Sequence, residues 1–218
     1  MRDRETIKYY QARAPEYEQI YYRDVPERRR ELDDAAERLR QLAKGRDILD
    51  LACGTGYWTQ ILATTAASVV AVDISTEMLR EALKKTYSAS VEFLRANLNA
   101  LPFRENCFDL IAIGFWFSHQ PKQEYDQFFK NIMRPLKRGG SIWLIDNNFP
   151  AEGPQMESVR VDEHGNNYKR RYLENGEEFV ILKNYFSREE LRAIFAPHFS
   201  ISQLAYGKYY WSVVLSPK

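Results

Sequence analysis

The sequence places Gly54 and Gly56 directly after the apolar run Ile48-Leu49-Asp50-Leu51, and Asp73 at the end of the next apolar run. Glycines in such a turn let the backbone approach a ligand closely, and the helix that follows offers unsatisfied N–H groups to a carboxylate or phosphate. A carboxylate at the end of the second strand can accept hydrogen bonds from ribose hydroxyls, and Asp73 stands seventeen residues after Gly56. Either feature alone reads equally well as a tight turn or a helix cap. Together they define a site for a nucleoside-like ligand. A dinucleotide asks for a third small residue three places after the second glycine. Thr59 stands there, behind the bulky Tyr57 and Trp58, which weakens a nicotinamide-dependent oxidoreductase without removing it as the alternative. A regulatory protein that binds such a ligand without turnover is the other alternative.

These residues must be positioned by alternating strands and helices, and the pattern from residue 46 onward supplies them. Short apolar runs (DILDLA, SVVAVDI, VEFLRA, FDLIAIGF, GGSIWLID) alternate with helical stretches (TQILATTAA, STEMLREALKK, QEYDQFFKNIMRPL). This is the rhythm of a parallel sheet covered on both faces. The expected fold is α/β: a Rossmann-like doubly wound sheet, mostly parallel, with an antiparallel final strand. Before it, residues 5–22 carry Ile7, Tyr10, Ala14, Tyr17 and Tyr21 at helical spacing, interrupted by Pro15, and a second helix is expected from Asp24 (N-cap) and Pro26 to a stop at Gly45. After the core, Gly153, Pro154, Gly165 and Gly176 punctuate polar stretches, and two strands around Asn175-Gly176 read as an inserted β-hairpin. Ser187 and Glu190 form a capping box for a last short helix, followed by two strands at the sheet edge. The expected layout is a single domain over 1–218, with an N-terminal helical lid (1–45), a ligand-binding core (46–150), the hairpin insertion (151–186) and the C-terminal helix and strand pair (187–218).

Composition narrows the partners. The 218 residues include 31 Lys and Arg against 30 Asp and Glu, a formal charge of +1 at pH 7, which is not the broad basic footprint that phosphate backbones require. No apolar run reaches the length that crosses a bilayer, and no signal-peptide pattern opens the chain. A cytoplasmic protein, monomeric or homodimeric, that meets a small molecule and neither nucleic acid nor membrane is the expectation. Cys53 and Cys107 have no metal-ligand spacing, consistent with a reducing compartment.

In a doubly wound sheet the ligand crevice lies beyond the carboxyl ends of the strands, so the substrate-facing candidates follow the fourth and fifth strands. After the fourth stand Trp116, Phe117 and His119, and after the fifth Asn147. His119 is the best-placed general base, with positioning or backbone bonding as its competing role. Trp116 and Phe117 are candidate walls for an apolar substrate, although aromatic residues at such places are as a rule core. Lys169, Arg170 and Arg171 read either as a contact for an anionic substrate or as a solvated hairpin face.

The motif Asp50-x-x-Cys53-Gly54-Thr55-Gly56, followed by Val72-Asp73-Ile74-Ser75-x-x-Met78-Leu79, resembles the first two motifs of class I S-adenosylmethionine-dependent methyltransferases. Asn97-Leu98-x-x-Leu101-Pro102-Phe103, Phe108-Asp109-Leu110-Ile111 and Leu136-x-x-Gly139-Gly140-x-Ile142 extend the resemblance over residues 46–146. The resemblance implies S-adenosyl-L-methionine as cofactor and methyl transfer to an oxygen or nitrogen atom of a small molecule. Asp50 opens the motif, and the backbone of Ala52, Cys53, Gly54 and Gly56 would face the methionine part. Asp73 would take the ribose, Ile74 and Met78 would flank the adenine, and Asn97 and Leu98 would read its edge. Tyr10 and Tyr17 would wall the cofactor from a lid formed by YYQARAPEYE. Ala52 replaces the first glycine of the usual motif, and Asn97 replaces the usual acid. Asp146-Asn147 resembles part of the cation site of metal-dependent catechol-type enzymes, but no acid follows the fourth strand to complete it, so no metal is expected.

Overall fold

The computed structural model describes residues 4–22, 24–148 and 158–218. Gly153 and Pro154, with the start of the expected insertion, lie outside the described residues.

The main sheet is built from β1 (Asp47–Leu51), β2 (Ser68–Asp73), β3 (Ser90–Arg95), β4 (Phe108–Gly114), β5 (Leu136–Asn147), and a late pair, β9 (Phe199–Tyr206) and β10 (Tyr210–Pro217). Its seven strands lie in the order β3-β2-β1-β4-β5-β10-β9. Only β10 runs antiparallel to the strand beside it from the core, pairing Val213 with Leu144. The chain reverses direction of travel across the sheet between β1 and β4, and the crevice that such a switch point opens is where ligands bind. Side chains alternate between faces. Ile48, Leu110, Ala112, Trp143 and Ile145 pack on one side against α2 (Pro26–Ala43) and α3 (Tyr57–Ala63). Leu49, Leu51, Ile111, Ile113 and Leu144 pack on the other against α5 (Tyr125–Met133) and α6 (Arg188–Phe195). Burial on both faces is why the strands read as continuous apolar runs. The capping box at α6 forms: Ser187 Oγ accepts from the Glu190 amide at 3.1 Å, and Glu190 Oε2 accepts from the Ser187 amide at 2.7 Å. No helix among the described residues is long and apolar enough to cross a membrane.

The lead segment is α1 (Arg4–Arg13) followed by a 3-10 stretch, Ala14–Tyr21, which begins where Pro15 removes an amide donor. Val25, one residue later than expected, is the N-cap of α2; it gives no side-chain cap, and Pro26 occupies the first helical turn. The insertion is a three-stranded sheet: β6 (Arg160–Val161), β7 (Asn167–Tyr172) and β8 (Glu178–Leu182). The strand before the hairpin escaped the sequence reading because it is two residues long. Gly176 turns the chain between β7 and β8 at φ +85°. Helix α1 lies on this small sheet, where Tyr9 packs with Leu173, Phe179 and Ile181. A file of tyrosines then crosses from the small sheet to α3. Tyr10 meets Tyr9 and Tyr17 edge-on, Tyr17 meets Tyr21, and Tyr21 stacks flat on Tyr57 with ring centroids 3.8 Å apart and planes 2° apart. Glu18 pairs with Lys85 beyond α4 (Thr76–Ala82). The lead segment is thereby pinned at both ends.

Candidate cofactor and substrate site

A cavity opens at the carboxyl ends of β1, β2 and β4, and the lead segment covers it. Ala52 and Gly54 line it from the turn after β1, Asp73, Ile74, Ser75 and Met78 from the end of β2 and the start of α4, and Leu98 from beyond β3. Gly114, Phe115, Trp116 and His119 follow β4, and Thr6, Ile7, Tyr10 and Tyr17 close the top.

The turn after β1 is shaped by unusual backbone. Ala52, Gly54 and Gly56 have φ of 54°, 55° and 82°; two of the three are glycines, as left-handed backbone favours. Gly56 caps α3, and a side chain on it would collide with the Tyr87 hydroxyl, only 2.5 Å from where a Cβ would stand. The Asp73 carboxylate ties this turn to α4: one oxygen accepts from the Gly54 amide at 2.9 Å and the other from the Ser75 amide at 2.8 Å. A carboxylate oxygen has lone pairs for more than one donor, and Asp73 lines the cavity. Ser75 also caps α4, its Oγ accepting from the Met78 amide at 3.1 Å.

Three expected cofactor residues stand behind the lining. Asp50 is buried and accepts from the Thr59 hydroxyl at 2.6 Å. Burial and the nearby Asp73 charge, against that hydrogen bond, push its carboxyl up to about 7. Cys53 is buried, with its amide on the Val72 carbonyl at 3.0 Å. Gly56 shapes the turn from beneath. Asn97 is exposed and bends its amide oxygen back to the Asn99 amide at 3.0 Å, while Leu98 beside it reaches the cavity. A short amide next to a turn prefers such local bonding.

Beyond β4 the chain makes a sharp turn, with Phe115 at φ 55° and its amide on the Ile145 carbonyl at 2.8 Å. Trp116 faces the cavity. Phe117, expected as a substrate wall, is instead fully buried among Tyr125, Phe128, Phe129, Phe186 and Phe195. Asn147 does not line the cavity; its amide and Nδ2 both donate to Asp146 Oδ1, at 2.7 and 3.2 Å.

His119 is gripped from two sides. Its Nδ1 lies 2.5 Å from the Leu182 carbonyl and its Nε2 2.8 Å from the Tyr10 hydroxyl. A carbonyl only accepts, so Nδ1 carries the proton and Nε2 accepts from Tyr10. Burial, then the Lys183 cation, lower the imidazole to about 3. Burial likewise holds the Tyr10 hydroxyl well above its usual range. Beneath them lies a buried ion pair: Lys183 Nζ is 3.0 Å from Asp146 Oδ1 and 2.6 Å from Ser118 Oγ, and Asp146 Oδ2 accepts from the Ser118 amide at 2.9 Å. Burial disfavours ionised Asp146, but Lys183, His119 and the two amides outweigh it and hold the carboxyl below the usual range. Sequence reasoning missed Lys183, which belongs to the insertion and reaches Asp146 across 37 residues of chain. It also did not single out Thr6, Ile7, Ser75, Gly114 and Phe115 as lining, although Ile7 stood in the lead-segment stripe, Ser75 in the second motif, and Gly114 and Phe115 at the end of the fourth apolar run.

Turn, ribose-type acid and apolar walls define a class of protein, and comparison with known sequences and structures gives the same one. The family described as "Methyltransferase domain" matches residues 48–140, the stretch that carries the motifs resembling class I S-adenosylmethionine-dependent methyltransferases. Among curated proteins, the demethylmenaquinone methyltransferase of Lactococcus lactis is 38% identical over 113 residues, 49% of this chain and 44% of that protein. That of Bacillus licheniformis is 36% identical over 121 residues, 54% of this chain and 51% of that protein. The chain thus spans about half the length of the curated relatives it matches. Among solved structures, the DhpI-SAM-HEP complex superposes with a TM-score of 0.80 at 29% identity, covering 98% of this chain and 97% of that one. The PH0226 protein from Pyrococcus horikoshii, with a TM-score of 0.73 at 24% identity, shares the fold over 93% of this chain and 99% of its own.

Proposed function

We propose that the chain transfers a methyl group from S-adenosylmethionine to an oxygen or nitrogen atom of a small molecule held under the lid. The observation that supports this most is the meeting of the Gly54 turn and the Asp73 carboxylate at one cavity. In this reading Asp73 receives the ribose hydroxyls, and Ile74, Met78 and Leu98 sandwich the adenine. The backbone from Ala52 to Gly54 passes the methionine part, with Tyr10 and Tyr17 closing over it. The donor set fits the group: a carboxylate for a diol, apolar side chains for a flat ring, and backbone beside the amino acid. Bound there, the sulfonium supplies a methyl carbon already activated toward nucleophiles.

The chain's own residues then orient the acceptor and exclude water, and orientation alone can lower a barrier by roughly 7–11 kcal/mol. Tyr10 and Trp116 wall the acceptor, and His119 fixes Tyr10 through Nε2. An effective general base has a pKa near the working pH, whereas neutral His119 is a hydrogen-bond acceptor that positions a hydroxyl. The demethylmenaquinone methyltransferase relatives favour a second reading of the acceptor, a ring carbon of a quinol, to be tested alongside.

Thermal shift checks the cofactor: S-adenosylhomocysteine at 100 times its dissociation constant should stabilise by about 2.7 kcal/mol, and NAD should not. A shift with NAD alone would replace the reading with a dehydrogenase. Incubation with labelled S-adenosylmethionine and fractionated small molecules, a demethylated quinol included, should then yield a methylated product by mass. Ligand binding without product from any fraction would favour the non-catalytic regulatory protein.

A further inference from the structure

Three consecutive residues of the insertion, Leu182, Lys183 and Asn184, hold the turn after β4. The Leu182 carbonyl lies 2.5 Å from His119 Nδ1, and the Lys183 ammonium donates to Ser118 Oγ at 2.6 Å. The Asn184 amide donates to the Ser118 carbonyl at 2.8 Å, and Asn184 Nδ2 to the Gln120 carbonyl at 3.4 Å. Gripped at Ser118, His119 and Gln120 alike, the imidazole is fixed in place at the cavity wall. Its tautomer is fixed with it. Were the proton on Nε2, the bare Nδ1 would face the Leu182 oxygen, lone pair against lone pair. Nδ1 therefore keeps the proton, and Nε2 takes the hydrogen of the Tyr10 hydroxyl at 2.8 Å. Burial and Lys183 keep the imidazole neutral near pH 7, and burial keeps Tyr10 protonated. The chain of hydrogen bonds thus runs one way, from Tyr10 through His119 to Leu182. A phenol has a single hydrogen, and here it is committed to His119. What Tyr10 has left to offer a ligand is its capacity to accept, and it lines the cavity beside Ile7, Phe115 and Trp116.

We infer that Tyr10 is a specificity-determining residue: the acceptor substrate presents an O–H or N–H hydrogen to the Tyr10 oxygen, and a molecule that can only accept at that point is rejected. The inference deepens the methyltransferase reading and rests on it only in calling the ligand an acceptor substrate. The hydrogen bond orients the ligand, and no proton is transferred along it. A carbonyl, ether or nitrile set against Tyr10 would meet a lone pair with no hydrogen between the two. A site built around one hydrogen bond discriminates against the analogue that lacks it, because the protein's own polar group is then left unpaired.

Calorimetry on protein saturated with S-adenosylhomocysteine tests it with two ring probes of similar size: phenol, which donates, and benzonitrile, whose nitrogen only accepts. Phenol should bind at least tenfold more tightly. Tyr10→Phe should weaken phenol at least tenfold and leave benzonitrile within threefold. His119→Leu frees the Tyr10 hydrogen to turn toward the cavity, so benzonitrile should tighten at least threefold while phenol stays within threefold; a loss of packing alone would weaken both probes alike. Should His119→Leu fail to fold, nitrogen-15 NMR of the parent carries the comparison, with the imidazole protonated on Nδ1 and bare on Nε2 from pH 5 to 8. Equal binding of the two probes, binding of neither, a phenol preference that survives Tyr10→Phe, or a proton found on Nε2 overturns the inference. A phenol preference in protein that fails to bind S-adenosylhomocysteine would leave the role of Tyr10 standing and remove the methyltransferase reading instead.

Discussion

At the scale of single residues, Asp73 does two things at once: it holds the turn and α4 together, and it lines the cavity. Asp73→Asn keeps one acceptor oxygen and the shape, so the protein should fold while S-adenosylhomocysteine binds more than tenfold more weakly by calorimetry, since two ribose hydroxyls lose a charged partner. His119, fixed in one tautomer and lowered to about 3 by burial and Lys183, does not change charge near neutral pH. His119→Gln retains an acceptor oxygen and should lower kcat by less than about tenfold, against the 10²–10⁴ expected of a lost base. The pH–rate profile should show no inflection near pH 6.5. Asp50 offers a sign test. Its folded value of about 7 lies above that of the unfolded chain, so its contribution to stability is full below about pH 4 and is lost as pH rises through 7. Asp50→Asn escapes this loss, and its melting temperature should gain on the parent's by roughly 5 °C between pH 5 and 8.

Elements decide what a residue can reach, and this is where the sequence was most and least legible. The turn after β1 and the acid after β2 could be read because each sits at the end of a strand whose apolar run marks it. Parallel pairing then brings the two ends side by side, Leu51 opposite Val72. Phe117 could not be placed, because the 3-10 turn Phe117–His119 sends its two end side chains in different directions, Phe117 into the aromatic core and His119 into the cavity. Lys169 was equally opaque: a run of three cations reads as solvated, and only pairing with β8 shows which of them turn inward. The turn's dependence on glycine yields an element-scale expectation. Gly56→Ala puts a Cβ at φ +82° and against Tyr87, so it should lower stability by roughly 1–3 kcal/mol in a urea melt. Affinity for S-adenosylhomocysteine should fall with it.

Across the whole molecule, the cavity has three owners that lie far apart in the chain: the lid, the strand ends and, through Leu182 and Lys183, the insertion. No local pattern announces such a convergence, which is why Thr6, Ile7 and Phe115 joined the site only when the chain was folded. The lid is held by side-chain contacts rather than by strand pairing, and segments of that kind open at lower free energy than the core. Hydrogen exchange in residues 4–22 should slow at least tenfold when S-adenosylhomocysteine is added, with little change in β1 and β4. Equal protection with and without the ligand would mean that the lid does not gate entry.

The flat stack of Tyr21 on Tyr57 has an optical side. One phenol belongs to the lid and the other to α3, and Trp58 lies edge-on beside the second, with centroids 5.1 Å apart. Coupled chromophores in a fixed chiral arrangement give near-ultraviolet circular dichroism, and that signal collapses once they part. The protein thus comes with its own unlabelled gauge of opening, readable in a cuvette on the unmodified chain.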